Sequence, residues 1–122
     1  MTFSYGTNKR TDVKSSTTAE AIKNGERTAT TRYISDGNID YWSTVQKGDV
    51  VLFKDQNDNP IYVRITKPLH KLDENTDAEE WSKKEGWSVT YFNSKVKPRI
   101  HEAYQMEYEY IGERNEIEDL FF

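Results

Sequence analysis

The chain has 122 residues, enough for one hydrophobic core and too few for two. It is polar (34% hydrophobic, 31% charged), yet its 13% aromatic content sets it apart from disordered chains. It has no cysteine, which excludes a disulfide framework, a thiolate metal site and a cysteine nucleophile, and its net charge of −4 is unlike that of a dedicated non-specific nucleic-acid binder. That charge is uneven: residues 1–35 hold six Lys and Arg against three acids, and residues 106–122 hold one against six. No apolar run reaches membrane-span length and no signal-peptide pattern opens the chain, so a cytoplasmic protein without a membrane partner is expected.

Phe3 and Tyr5 read as the start of an edge strand. Thr17-Thr18-Ala19-Glu20 has capping-box spacing for a short helix, with Gly25 suited to its left-handed exit. Residues 28–34 are β-branched and aromatic and predict a strand, and residues 35–46 a loop or helical turn. Lys47-Gly48-Asp49 marks a turn, and the apolar run Val50–Phe53 predicts a central strand covered on both faces. Residues 55–60 suit a hairpin loop, followed by the alternating strand of Ile61, Val63 and Ile65. A second helix is expected from Asp77, with Thr76 and Glu79 at capping-box spacing, to Gly86. Ser88 would cap a third helix carrying Val89, Phe92 and Val96 and ended by Pro98. Residues 104–111 alternate strictly and predict a closing strand. The fold class is α+β: a small, mostly antiparallel sheet curled into a barrel, with two or three short helices.

The densest polar cluster is Gly25-Glu26-Arg27-Thr28-Ala29-Thr30-Thr31-Arg32. On a strand, Thr28, Thr30 and Arg32 share one face, and Ala29, Thr31 and Tyr33 the other. Two hydroxyls and a guanidinium on one face suit a phosphate, a carboxylate or a nucleobase edge. The same pattern fits a Thr-rich edge strand with a solvated arginine. Glu85 falls in the last turn of its helix, where the macrodipole disfavours a carboxylate. Trp81 and Trp87 fit core positions as well as stacking platforms. His70 and His101 have no neighbouring acid at metal-ligand spacing, and no metal or cofactor is expected.

Three pieces in order, Ala21–Arg32, Lys47-Gly48-Asp49-Val50-Val51 and Lys84-Glu85-Gly86-Trp87, resemble the ASCH domain, over about residues 17 to 111. The resemblance implies a PUA-like barrel over residues 1–112, with 113–122 as an acidic, hydrophobic tail. It implies a cleft between barrel and helices facing RNA or a nucleoside. Some bacterial members remove the acetyl group from N4-acetylcytidine with a Lys, a Thr and a Glu. By motif position the Thr maps to Thr30 and the Glu to Glu85, while Arg27 holds the Lys position. Arginine stays charged in proteins, so Arg27 suits oxyanion stabilisation rather than proton abstraction.

Two functions therefore follow for the cleft. In the first it binds RNA or a nucleotide, with Arg27, Thr28 and Arg32 as polar contacts and Trp42 or Trp87 stacking. In the second, an amidohydrolase, Arg27, Thr30 and Glu85 are the catalytic set. A third expectation concerns the tail, whose Leu120-Phe121-Phe122 resembles the C-terminal peptides that dock on polymerase sliding clamps and would offer a protein-partner contact.

Overall fold

The structure, a computed structural model, describes residues 8–54 and 60–113. The expected strand at Phe3 and Tyr5, the hairpin loop and the tail with Leu120, Phe121 and Phe122 lie outside the described residues.

Thr17 caps α1 (Thr18–Lys23), its hydroxyl accepting from the Glu20 amide at 3.2 Å. Glu20 reaches back to the Ser16 amide at 3.3 Å, so the box closes one residue early. Gly25 then takes φ +72° and turns the chain into β1 (Ala29–Tyr33). A 3-10 turn (Ile34–Asp36) and α2 (Ile39–Ser43) lead to β2 (Val50–Lys54). This strand pairs antiparallel with β3 (Pro60–Lys71). Next comes α3 (Ala78–Glu85), capped by Asp77, which accepts from the Glu80 amide at 2.9 Å. Thr76, the expected cap, instead accepts from the Asp73 amide at 3.0 Å. Ser88 caps α4 (Val89–Tyr91), as its spacing predicts, with the Tyr91 amide at 3.1 Å. That helix continues into a π-helical turn (Phe92–Val96) and a 3-10 turn (Lys97–Glu102), so Pro98 starts a helical turn where a helix end is expected. β4 (Ala103–Glu113) completes the fold.

The sheet order is β1-β4-β3-β2, all antiparallel. Register shifts along β3 and β4 curl it into a half-barrel, and β1 and β2 are its two edges. Two sequence expectations change here. Residues 104–111 form a central strand rather than a closing one. The apolar run Val50–Phe53 is an edge strand, with Val50 46% exposed and Val51 alone buried. Its hydrophobicity has a different cause: Phe53 meets Trp42 and Tyr108 edge-to-face at 5.9 and 4.9 Å.

Alternation along β4 divides the core. Met106 and Tyr108 join Ile22, Val51, Ile61, Val63 and Ile65 on one side of the sheet. Ala103 faces the other side, where Val13, Leu72, Trp81, Trp87, Phe92 and Val96 pack beneath the helices. Residues 8–10 lie against 86–88 as a strap: Lys9 bridges Trp87, and the Arg10 amide donates to the Gly86 carbonyl at 3.1 Å. The Arg10 guanidinium clamps α3 through Glu79 at 2.7 Å and Ser82 at 2.8 Å.

Candidate functional site

The strand β1 is a sheet edge, and its exposed side forms one wall of a cleft of about 750 Å³. The helical layer supplies the opposite wall through Trp81, Glu85, Trp87, Tyr91 and Lys95. A smaller chamber of about 180 Å³, lined by Ile22, Leu52, Phe53, Ile61 and Tyr108, shares Arg27, Thr30, Arg32, Trp42 and Lys54 with the cleft.

Register decides which side chains meet. Thr30 stands opposite Met106, and Thr31 opposite Gln105. Neighbours across an antiparallel pair share a face, so Thr30 and Thr31 look to opposite sides of the sheet. On the Thr30 side, Arg27 is buried and donates from Nη2 to Thr30 Oγ1 at 3.0 Å and from Nε to the Ala29 carbonyl at 3.2 Å. On the Thr31 side, the Thr31 hydroxyl and the Gln105 amide (2.9 Å) both donate to Glu85 Oε2, and the Trp81 indole N–H donates to Thr31 Oγ1 at 2.9 Å. The three expected catalytic residues thus line one cleft but fall into two halves, Arg27 with Thr30 and Glu85 with Thr31.

Glu85 is only 2% exposed. Burial pushes its carboxyl above the usual range, against the pull of Arg27, the Thr31 and Gln105 donors and Arg32. Its place in the last turn of α3, at the negative end of the helix, acts in the same direction as burial. Arg32 is half-buried, its guanidinium 5.7 Å from the Trp42 ring centre. Desolvation, and then Arg27 beside it, lower its pKa. Arg99 lies 3.7 Å over the Tyr33 ring, and burial pushes the Tyr33 phenol up to about 12.

Of the expected ligand contacts, Arg32, Trp42 and Trp87 line the cleft. Thr28 precedes β1, where its amide donates to the Lys84 carbonyl at 2.7 Å and fastens the strand to the end of α3. Trp87 stacks on Tyr91 at 4.5 Å, and Tyr91 lies parallel to Trp81 at 6.4 Å, giving a ladder of three rings. The sequence reading passes over Thr31, Gln105, Lys54, Lys95 and Arg99. Alternation does separate Thr31 from Thr30, but its link to Gln105 depends on the β1–β4 register. His70 lies 3.9 Å from Glu107 and His101 is exposed. Among the described residues no cluster of three or more His, Asp or Glu side chains could hold a metal ion.

No protein-family model matches the sequence, and no curated protein matches it. Among solved structures, it is similar to the crystal structure of protein EF3133 from Enterococcus faecalis V583, which is assigned to the family DUF984. The TM-score is 0.53 at 15% identity, over 77% of this chain and 69% of that one, a likeness of fold. Among the described residues no helix is long and apolar enough to cross a membrane.

Proposed function

We propose that the cleft along β1 binds a nucleotide or a short single-stranded nucleic acid. One observation carries the reading: among the described residues, Arg27, Arg32, Lys54, Lys95 and Arg99 line the cleft against Asp36 and Glu85, in a chain of net charge −4. Concentrating cations in one concavity of an acidic protein selects an anion there and repels it elsewhere. The volume suits a ligand of small-molecule size rather than a duplex. Trp42, half-buried in the cleft wall, supplies flat apolar surface for a base. The resemblance of the Gly25–Arg32 segment to the ASCH domain supports the same reading.

A second reading, an amidohydrolase acting on N4-acetylcytidine-type nucleosides, rests on the Arg27–Thr30 contact. A guanidinium held 3.0 Å from a buried hydroxyl stabilises negative charge developing on that oxygen or on an attacked carbonyl. The reaction also needs an acceptor for the Thr30 proton. Glu85 is bonded to Thr31 on the far face of β1, so the geometry favours binding over hydrolysis.

The test pairs two assays. Cytidine 5′-monophosphate and a short single-stranded RNA are titrated calorimetrically into wild type and Arg32→Ala, and N4-acetylcytidine hydrolysis is followed by mass spectrometry in wild type and Thr30→Ala. Binding that Arg32→Ala abolishes, without turnover, upholds the binder. Turnover that Thr30→Ala abolishes makes the protein a hydrolase. Binding untouched by Arg32→Ala overturns the placement of the site.

A further inference from the structure

The carboxyl group of Glu85 has no role in the binder as stated, although it is the most deeply buried acid of the cleft. Its surroundings have a direction. An indole N–H only donates, so Thr31 Oγ1 accepts from Trp81. The single proton of the Thr31 hydroxyl must then point the other way, into Glu85 Oε2. The Gln105 amide donates to that same oxygen. Oε2 therefore receives two hydrogen bonds from neutral donors. Among the described residues no hydrogen bond engages Oε1, and the side chain lines the cleft.

The charged groups facing this carboxyl are Arg27, which precedes β1, and Arg32 on β1, with the Tyr33 phenol on the same strand. From β4 only the neutral Gln105 reaches it. Among the described residues no ion pair joins Glu85 to either arginine, so their attraction acts through space while the carboxyl loses nearly all of its hydration. With no direct ionic partner among the described residues, the neutral acid is the form such burial favours. With Oε2 already receiving two protons, the acid proton belongs on Oε1.

We propose that Glu85 stands in the cleft as a neutral carboxylic acid, oriented by Trp81, Thr31 and Gln105, whose Oε1–H donates to a carbonyl oxygen or ring nitrogen of the ligand. This rests on the nucleotide reading and deepens it. The ligand carries an anionic group for the arginines and, beside it, an unprotonated acceptor for Glu85. Trp81 and Thr31 are positioning residues, since they set which oxygen is left for the ligand. Glutamine at position 85 keeps a donor of the same length, whereas an ionised glutamate can only accept.

The protonation state can be read without any ligand. In protein carrying carbon-13 at the glutamate carboxyls, the resonance absent from Glu85→Gln belongs to Glu85. It is expected at the protonated position at pH 7, and to move only when other glutamates, which titrate near about 4.3, are fully ionised. Thr31→Val removes one donor to the carboxylate and is expected to push this titration higher still, which a purely structural role would not do. Cytidine 5′-monophosphate is then titrated above pH 7, where its phosphate, with a second pKa of about 6, no longer changes charge. Wild type is expected to lose affinity at least tenfold through the Glu85 titration, and Glu85→Gln to bind without pH dependence. A wild-type Glu85 resonance that is ionised at pH 7 overturns the proposal whatever the ligand does. A neutral Glu85 with identical pH profiles for wild type and Glu85→Gln overturns the donor role. A neutral Glu85 with no nucleotide bound at any pH supports the acid and overturns the nucleotide reading instead.

Discussion

Replacing Arg10 with alanine separates the contacts that hold the strap on α3. The guanidinium reaches Asp12 at 2.9 Å, Glu79 at 2.7 Å and Ser82 Oγ at 2.8 Å, and the Arg10 side chain is 17% exposed. Asp12 and Glu79 are 65% and 55% exposed, so each pair contributes about 0.2–1 kcal/mol and is screened by salt. Ser82 is fully buried. Its hydroxyl keeps its own bond to the Trp87 carbonyl at 2.5 Å, so the variant strips only the acceptor side, at a cost of about 1 kcal/mol. Covered methylenes of the arginine stem add a few tenths. The sum is about 2 kcal/mol, or roughly 6–10 °C in melting temperature for a domain of this size. Urea unfolding followed by far-UV circular dichroism, at low salt and at about 0.5 M NaCl, is the assay. About half of the loss is expected to survive in high salt, because the Ser82 contact is shielded from solvent. A loss below about 0.5 kcal/mol, or one that salt removes entirely, would refute the argument that a buried contact anchors the strap.

Other substitutions probe the core, the acid range and the cleft. Met106→Ala, at a fully buried position opposite Thr30, is expected to cost about 2–5 kcal/mol in urea unfolding; a change under about 1 kcal/mol would mean that the site collapses around the smaller side chain. Glu26 accepts from the Ser15 hydroxyl and from the Lys14 and Ser15 amides, and these bonds, the hydroxyl foremost, hold its carboxyl below the usual range. A depressed value stabilises the fold above the unfolded glutamate value of about 4.3 and is lost as pH falls through the folded one. Wild type should therefore lead Glu26→Gln at about pH 7 and lose that lead by about pH 2; an equal gap at both would contradict the assignment. For Glu85 the sign reverses: a raised value is fully stabilising below about 4.3 and is lost as pH rises through the folded value. The stability of Glu85→Gln relative to wild type should accordingly improve between acid and alkaline buffer. If nucleotide affinity is electrostatic, Arg32→Ala also lowers the salt dependence of binding by about one counterion, and an unchanged slope would place the ligand elsewhere.

Much of the architecture is legible in local chemistry. Thr17, Gly25, Ser88 and Gly86 mark helix ends by what their side chains, or lack of one, permit. Ile61, Val63 and Ile65 declare a half-buried strand by alternation alone. The α+β barrel-like class follows from such signals. What escapes is whatever depends on neighbours far along the chain. Val50–Phe53 reads as a central strand because hydrophobicity reports burial without saying what covers the residue; here Trp42 and Tyr108 cover Phe53, not a flanking strand. Thr76 and Asp77 are both competent caps, and the choice depends on the turn at Asp73, which claims the threonine. At the site, the segment Gly25–Arg32 is conspicuous in sequence, yet Glu85 and Trp81, the partners of Thr31, come from α3, far along the chain. Lys54, Lys95 and Arg99 arrive from three separate elements and carry no shared motif.

The π-helical turn at Phe92–Val96 ties two properties of the molecule together. Its closing bond runs from the Lys97 amide to the Phe92 carbonyl, five residues back, the mark of a helix into which one residue has been inserted. Exposed Lys95 and buried Val96 both line the cleft here, and Val96 also packs in the core. Deleting exposed Asn93 or Ser94 would restore ordinary helical spacing and rotate one flank against the other by roughly 100°. Either the lysine would swing away from the cavity or the valine would leave the core. An insertion or deletion in this turn therefore changes the charge lining the cleft and the packing of the core together, whereas a substitution at exposed Lys95 changes the charge alone.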